Sequence, residues 1–463
     1  MTDRLLKYYD ELKGKKVFFL GAGISHRQLI KRFLEKGADV TLCDKKSFEE
    51  LSDYGEEIKA LGAQFILGEG YLSRLCEADF VFRTPGIDYT KPEIQAAVNS
   101  GVTVTSEIET FFDLCPARII GVTGSDGKTT STTLIARFLE AAGYTVHLGG
   151  NIGRPLLPII DQVKQSDVAV VELSSFQLIS MKKSPDIAVV TNMTPNHLDH
   201  HKDMDEYINA KRNILLYQSE TGVAILNAEN EITKKMSGDV KGELRWFSSK
   251  NRVSNGTYMD RDKNLVKVKD GKETIIMNLN DIKLRGEHNK ENVTTAAAAV
   301  LSLVPDDNIK KTASEFSGVE HRIEFVRSKD GVLWYNDSIG TSPTRTIAGL
   351  RSFDEKLILI AGGYDKKISY APLAPEIIKS VKFMILCGPT AEIIKREVEA
   401  LNEYKTSGLV IELAADVASA VGRANEVARA GDVVLLSPAS ASFDAYPNFE
   451  ARGNHFKELV NNL

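Results

Sequence analysis

Cysteine is scarce in this 463-residue chain. The four present, Cys43, Cys76, Cys115 and Cys387, are scattered, with neither the density of a disulfide framework nor the paired spacing of a zinc site. Each reads as a small buried apolar residue in a reducing cytosol. Long apolar runs are missing too. The longest, around residues 296–304, falls far short of a membrane span, and the polar stretch 1–14 holds no apolar signal-peptide core. Nor is there an excess of positive charge. With 58 basic and 63 acidic residues the net charge is −5, which gives no electrostatic reason to expect nucleic acid or an anionic membrane as a partner. Internal repeats, low-complexity tracts and long linkers are absent as well. These absences leave a cytoplasmic globular chain, 43% hydrophobic and 26% charged. It is too long for one core, and its length suggests about three domains.

Residues 123–130, Thr-Gly-Ser-Asp-Gly-Lys-Thr-Thr, carry the firmest chemical signal. They follow the apolar run Ile119-Ile120-Gly121-Val122 and precede the periodic apolar positions Leu134, Ile135, Phe138 and Leu139. That order predicts strand, glycine loop and helix. Gly124 and Gly127 let backbone N–H groups of the loop, through Ser125, Asp126 and Thr130, converge on phosphates. Lys128 adds a point charge, and the Thr129 hydroxyl suits Mg²⁺. The strict phosphate-loop pattern wants glycine where Val122 stands, so this is a variant. A glycine turn with a chance Lys-Thr is the bland alternative.

The rest of the chain alternates strand and helix signals. Apolar runs at 17–20, 40–43, 65–67, 80–82 and 102–104 predict a first parallel sheet, with a boundary near residue 107. Runs at 168–173, 187–192 and 223–227 continue a second segment. Alternation at 265–268, the Asp270-Gly271 turn and residues 274–277 predict antiparallel hairpins there, and an alanine-rich helix at 292–303 follows. The third segment has strands at 333–336, 357–361, 383–386 and 433–436. The expected fold is three α/β domains. A Rossmann-like domain covers 1–107, a central phosphate-loop domain with a small antiparallel sheet covers 108–318, and a Rossmann-like domain covers 319–463.

Further polar motifs sit where strands end. Gly21-Ala22-Gly23-Ile24-Ser25-His26 and Asp44, about twenty residues on, imitate a dinucleotide fingerprint, but His26 replaces its third glycine. NAD is therefore disfavoured against another nucleotide-type ligand. Glu172 closes the run 168–171 and is placed to reach Mg²⁺, with a helix-capping acid as the alternative. His197-Leu198-Asp199-His200-His201 matches no common zinc spacing; His200 and His201 read as a solvated loop. Lys211 alone reads as a surface lysine. His288-Asn289 opens the alanine-rich helix, either as a cap or for adenine recognition. His321-Arg322, Asn336-Asp337-Ser338, the stretch from Gly362 to Lys367 and the stretch from Ser437 to Asp444 gather in the third segment.

Taken together, these residues resemble the Mur ligase family along the whole chain. Besides the phosphate loop, the resemblance is carried by Gly-Gly-Asn-Ile-Gly (149–153), Glu-Leu-Ser-Ser-Phe-Gln-Leu (172–178), His197-Leu198-Asp199, His288-Asn289 and Glu320-His321-Arg322. It continues in Asn336-Asp337-Ser338, Leu-Ser-Pro-Ala-Ser-Ala-Ser-Phe-Asp (436–444) and Asn-Phe-Glu-Ala-Arg-Gly-Asn (448–454). It implies an ATP-dependent amide ligase of peptidoglycan precursor synthesis, of the kind that adds D-glutamate to UDP-N-acetylmuramoyl-L-alanine through an acyl phosphate. It further implies that Lys128 stabilises the transferring phosphoryl group, that Thr129 and Glu172 hold one Mg²⁺, and that His197 and a carbamylated Lys211 hold a second. Asn289, Arg322 and Asp337 match positions that bind ATP's base, phosphates and ribose. Ile24, Ser25, Asp44, Lys45, Thr84 and Gly86 match the UDP site, and Asn151 and Ser174 the sugar-peptide part. Thr341, Lys366, Ser442 and Phe443 match the D-glutamate site. Two positions depart from the family pattern: Ile339 stands where lysine is common, leaving Lys366, Lys367 or Arg345 to supply charge, and Asp126 stands where asparagine is usual. Competing readings are a Mur-type ligase or folylpolyglutamate synthase with another acceptor, an NAD-dependent dehydrogenase, and a silent nucleotide-binding subunit.

Overall fold

A computed structural model describes residues 2–194, 201–366 and 368–463. Two compact units are present. One joins the chain up to Asp281 with Lys290–Ser314, and the other joins Ile282–Asn289 with Glu315–Leu463.

The first unit holds two sheets. The N-terminal one is wholly parallel, with β1 (Lys16–Leu20), β2 (Asp39–Asp44), β3 (Gln64–Leu67), β4 (Phe80–Arg83) and β5 (Thr103–Thr105) in the order β3-β2-β1-β4-β5. Chain order reverses between β1 and β4, so a crevice opens past their carboxyl ends, where open α/β sheets take ligands. The second sheet comprises β6 (Arg118–Thr123), β7 (Val146–Gly150), β8 (Val168–Glu172), β9 (Ile187–Val190), β10 (Val223–Asn227), β11 (Glu243–Ser248), β12 (Gly256–Met259), β13 (Asn264–Lys269) and β14 (Lys272–Asn278). Its order is β14-β13-β12-β11-β10-β9-β6-β8-β7, and only the β12–β13 and β13–β14 pairings are antiparallel. Those antiparallel strands are hydrogen-bonded onto the edge of the parallel sheet. Asp270 and Gly271 both take positive φ (52° and 73°), the geometry of a tight hairpin turn between β13 and β14.

One apolar core runs through both sheets of this unit. Ile108 and Phe111, on the helix Glu107–Leu114, belong to the same cluster as Phe82, Leu156, Leu157 and Ile160. The central β6 is buried from Ile119 to Thr123 between β8 and β9, as the continuous apolar run at 119–122 requires.

The second unit carries β15 (Glu324–Lys329), β16 (Val332–Asn336), β17 (Leu357–Ala361), β18 (Val381–Leu386), β19 (Val410–Leu413) and β20 (Val433–Leu436), in the order β15-β16-β20-β17-β18-β19. Only β15 is antiparallel to its neighbour. Apolar layers cover both faces of this sheet. The adjacent carboxyl ends of β16, β20 and β17 bring Asn336-Asp337-Ser338, the segment from Ser437 and Gly362-Gly363 to one edge. Among the described residues no helix is long and apolar enough to cross a membrane.

Candidate active site

The loop between β6 and the helix Lys128–Ala141 is shaped by two glycines. Gly124 (φ 141°) and Gly127 (φ 75°) occupy backbone regions that side-chain-bearing residues rarely adopt. A Cβ at Gly124 would overlap Thr191 Oγ1 and come within 3.0 Å of the Asn192 carbonyl; one at Gly127 would overlap Asn292 Oδ1. Val122 needs no glycine, because it is still inside β6 and fully buried. The chain beyond β9 braces the loop. Ser125 N–H donates to the Asn192 carbonyl and Asp126 N–H to Asn192 Oδ1, both at 2.9 Å, while Thr191 Oγ1 donates to the Asp126 carbonyl at 2.6 Å. Ser125 Oγ is likewise engaged, with Tyr207 Oη at 2.9 Å and the Thr194 backbone. These two residues therefore brace the loop, and the Asp126 side chain is at the surface. Gly127 is the N-cap of the following helix and offers no side-chain cap, which leaves the positive end of the helix dipole for an anion.

At the mouth of this loop polar side chains from four elements meet. Thr129 Oγ1 donates to Glu172 Oε2 at 2.8 Å, and Asn151 Nδ2 donates to Glu172 Oε1 at 2.7 Å. Lys128 Nζ donates to the Ser125 carbonyl at 2.8 Å. Lys211, on the helix Met204–Leu216, is 2% exposed and reaches Thr123 Oγ1 at 3.1 Å, over the Tyr207 ring. Burial drives its ammonium well below the ordinary lysine range, and Lys128 adds to the effect, while Glu172 opposes it. Lys211 is buried, so its surface reading is corrected, and these surroundings favour the neutral amine over the ammonium. Among the described residues no group of three or more His, Cys, Asp and Glu side chains is placed to hold a metal. A carboxylate and a hydroxyl 2.8 Å apart beside a phosphate loop are a donor set that fits Mg²⁺, which completes its shell with water and phosphate oxygens.

His197, with His200, lies outside the described residues. His201 is not a solvated residue. It is 4% exposed, stacked on Phe176 at 5.1 Å, with Nε2 2.8 Å from Ser175 Oγ and Nδ1 3.2 Å from Glu206 Oε2. Ser174 caps the helix Ser175–Leu178 through a reciprocal pair with Gln177.

A cleft of about 260 Å³ between the two sheets of the first unit is lined by Ser25, Arg83, Glu107, Asn151 and Gln177 among others. Ser25, at the start of the helix Ile24–Glu35, lies past β1, while Thr84 and Gly86 follow β4, so these sequence-predicted residues share the switch point. Asp44, at the end of β2, is occupied by backbone: its oxygens accept from Ala22 N–H at 2.7 Å and Lys46 N–H at 3.0 Å, and Lys45 beside it is exposed. His26 does not spoil the packing as a missing glycine would suggest. It is fully buried against the Phe19 ring, Nδ1 meets the Gly21 carbonyl at 3.0 Å, and burial lowers its pKa to about 4, so it is a neutral ring.

Two buried charges at this cleft give no sequence signal. Arg83 donates to the carbonyls of Ile87 at 2.7 Å and Phe176 at 2.9 Å and to Ser180 Oγ at 3.1 Å, tying the Thr84–Gly86 turn to the second sheet. Glu107 Oε1 accepts the amides of Leu156 and Leu157, each at 2.7 Å, and burial pushes its pKa from 4.5 up to about 7. An unfolded carboxyl ionises near 4.5 while the folded one keeps its proton to about 7, so the folded chain loses stability as pH rises across that window and levels off above it. Glu107→Gln keeps an acceptor oxygen without the ionisation. Thermal unfolding is expected to show wild type falling behind Glu107→Gln between pH 5 and 7; a constant difference would assign the ionisation elsewhere.

In the second unit, Asp337 is buried, accepts from Ser437 Oγ at 2.6 Å, and is pushed by burial up to about 7. Asn289 Nδ2 donates to the Arg285 carbonyl at 2.7 Å, and Arg322 is exposed. Thr341 is half-buried, Lys366 is exposed and bonds the Thr341 carbonyl at 3.1 Å, Ser442 is buried, and Phe443 is 65% exposed against the edge of Tyr364. Arg452, in the 448–454 motif but given no role from sequence, is 2% exposed and fastens the loops after β16 and β20 by donating to Ser338 and to the carbonyls of Ser440 and Ala441. Lys367 lies outside the described residues.

Comparison with known proteins decides the family. Residues 15–106 match the Mur ligase MurD-like N-terminal domain, 122–300 the Mur ligase middle domain and 321–440 the Mur ligase glutamate ligase domain. The UDP-N-acetylmuramoylalanine–D-glutamate ligase of Acetivibrio thermocellus is 50% identical over 466 residues, covering 100% of both chains. The chain belongs to the Mur ligase family. The enzyme of the same name from Clostridium kluyveri is 46% identical over 98% of each chain. Among solved Mur ligase structures, UDP-N-acetylmuramate–alanine ligase from Thermotoga maritima superimposes with a TM-score of 0.56 at 18% identity, over 97% of this chain and 99% of that one. A pseudomurein peptide ligase type C from Methanothermus fervidus gives 0.53 at 18%, over 97% and 100%. At that identity they speak for the Mur ligase fold alone.

Proposed function

We propose that this chain joins D-glutamate to UDP-N-acetylmuramoyl-L-alanine at the expense of ATP, in the cytoplasm and as a monomer, with functional segments 1–107, 108–318 and 319–463. The observation that carries the reading is the full-length 50% identity to a ligase of that name, in a chain whose phosphate loop opens on Thr129, Glu172 and a buried Lys211.

The chemistry follows from what a carboxylate lacks. It is a poor acceptor for an amine, so the terminal carboxylate of the sugar-peptide first takes the γ-phosphoryl group of ATP, with ADP leaving. The amine of D-glutamate then attacks the carbonyl carbon of that acyl phosphate, loses a proton, and inorganic phosphate departs. Lys128, with the helix N-terminus behind it, faces the charge that develops on the moving phosphoryl group. Thr129 and Glu172 would hold one Mg²⁺, which would neutralise phosphate charge. Burial, which favours the neutral Lys211 amine, would let it add to CO₂ and release a proton, giving an anionic carbamate whose oxygens, with His197, would be the donors for a second Mg²⁺. Ile24, Ser25, Asp44, Lys45, Thr84 and Gly86 serve the UDP moiety, and Asn151 and Ser174 the sugar-peptide part. Asn289, Arg322 and Asp337 serve ATP, and Thr341, Lys366, Ser442 and Phe443 the amino acid.

The test is phosphate release by purified protein given ATP, Mg²⁺ and UDP-N-acetylmuramoyl-L-alanine. Release is expected only when D-glutamate is added. Equal release with L-glutamate, or none with any amino acid, sinks the assignment.

A further inference from the structure

Two cations converge on one short loop after β16. Arg345 Nη1 donates to the Ile339 carbonyl at 3.2 Å, and Lys366 Nζ donates to the Thr341 carbonyl at 3.1 Å. The Thr341 amide in turn donates to the Ile339 carbonyl at 2.7 Å, so the loop is pinched and its two acceptors are neighbours. The cations arrive from different elements: Arg345 from the first turn of the helix Pro343–Leu350, Lys366 from the segment past β17. Both heads are exposed, and among the described residues neither has a carboxylate within ion-pair distance. Asp337 lies within electrostatic reach of Arg345, but it is turned inward onto Ser437 and burial favours its neutral form. Lys366 holds its proton less tightly than an ordinary lysine, first through burial and then through Arg345 and Arg452. Two like charges anchored only to neutral carbonyls on one edge of a sheet form a receptor for a dianion.

Their surroundings fit an amino acid rather than a nucleotide base. Tyr364, two residues before Lys366, bridges to Ala441 and packs its ring on the exposed Phe443, which makes an apolar wall beside the charges. Ile339 brings no charge of its own to the loop. Of the two cations, the guanidinium is the one that can bind a planar carboxylate through two parallel hydrogen bonds, since a single N–H is spent on Ile339.

We propose that Arg345 is a specificity-determining residue that grips the side-chain carboxylate of the incoming amino acid, while Lys366 holds its other carboxylate. This rests on the D-glutamate reading above.

The experiment varies D-glutamate at saturating ATP and UDP-N-acetylmuramoyl-L-alanine for wild type, R345Q and R345K. Loss of a charge-assisted pair is expected to raise KM for D-glutamate in R345Q by roughly ten- to a hundredfold. KM for ATP stays unchanged, and R345K recovers part of the loss. The preference for D-glutamate over D-glutamine, which lacks the side-chain charge, narrows in R345Q. Arg345 is exposed, so the unfolding temperature serves as a control for intact folding. An unchanged KM for D-glutamate in R345Q, or a rise that falls on ATP, overturns the proposal while leaving the D-glutamate reading standing. A wild-type enzyme silent with D-glutamate overturns that reading, and the carboxylate clamp with it.

Discussion

Replacing Lys211 with methionine is expected to lower the rate of phosphate release by about a hundredfold or more, while the unfolding temperature stays level or rises. The two halves of this result have separate causes. The amine is 2% exposed and its hydrogen bond runs to one hydroxyl, Thr123 Oγ1, so the fold gains little from it and bears the cost of dehydrating it. Methionine is about as long, carries no amine and suits the ring of Tyr207 beneath it. The fold is therefore expected to tolerate the exchange, whereas the proposed carbamate could not form. Lys250→Ala, at an exposed position remote from this cluster in its hydrogen bonding, is expected to keep full activity. A Lys211→Met enzyme with wild-type turnover, and no response of the wild type to added bicarbonate, would remove Lys211 from the mechanism.

Lys128→Met is expected to be more severe, a loss of about a thousandfold in kcat, measured by ADP formation at saturating substrates. Lys128 opens the helix Lys128–Ala141 and is the ammonium nearest in sequence to the Gly124–Gly127 turn. Its charge counts most when negative charge moves between the donor and acceptor oxygens, so the loss should fall on turnover more than on KM for ATP. Lys128→Arg keeps the charge but not the compact point geometry, and is expected to recover only a small part. A variant that loses affinity for ATP while keeping its turnover would make Lys128 a binding residue only.

The parts of this structure legible from sequence are those in which local backbone geometry dictates residue type. The turn at Gly124 and Gly127 admits no Cβ, so glycine there is a statement about phosphate-loop shape. Strands buried on both faces, such as β6 and β8, read as unbroken apolar runs. Of the strands that those runs do not mark, β7, β15 and β19 end a sheet, where one flank meets solvent and polar residues are admitted, while β11 and β12 lie inside the nine-stranded sheet. The site was harder to read where burial reverses the habit of a residue. Arg83, Glu107 and Arg452 look like surface charges, yet backbone carbonyls or amides distant in sequence take them in. His201 reads as solvated from sequence because nothing local announces Phe176 stacked on it. Lys211 and Arg345 differ in the same way: one lysine among many proves buried, and one arginine proves to share its loop with Lys366.

Glu172 has one more consequence. Its two oxygens are shared between Thr129, on the nucleotide side, and Asn151, in the cleft that Ser25 and Arg83 also line. A cation that draws the carboxylate toward Thr129 weakens its hold on the Asn151 amide, and a ligand that turns Asn151 away leaves the carboxylate freer for a cation. Such a coupling is a free energy with one value seen from both sides, so whatever factor the nucleotide imposes on the sugar-peptide, the sugar-peptide must return. Under the roles proposed above for Thr129 and Asn151, Glu172 is the residue at which the affinities for two substrates would stop being independent constants.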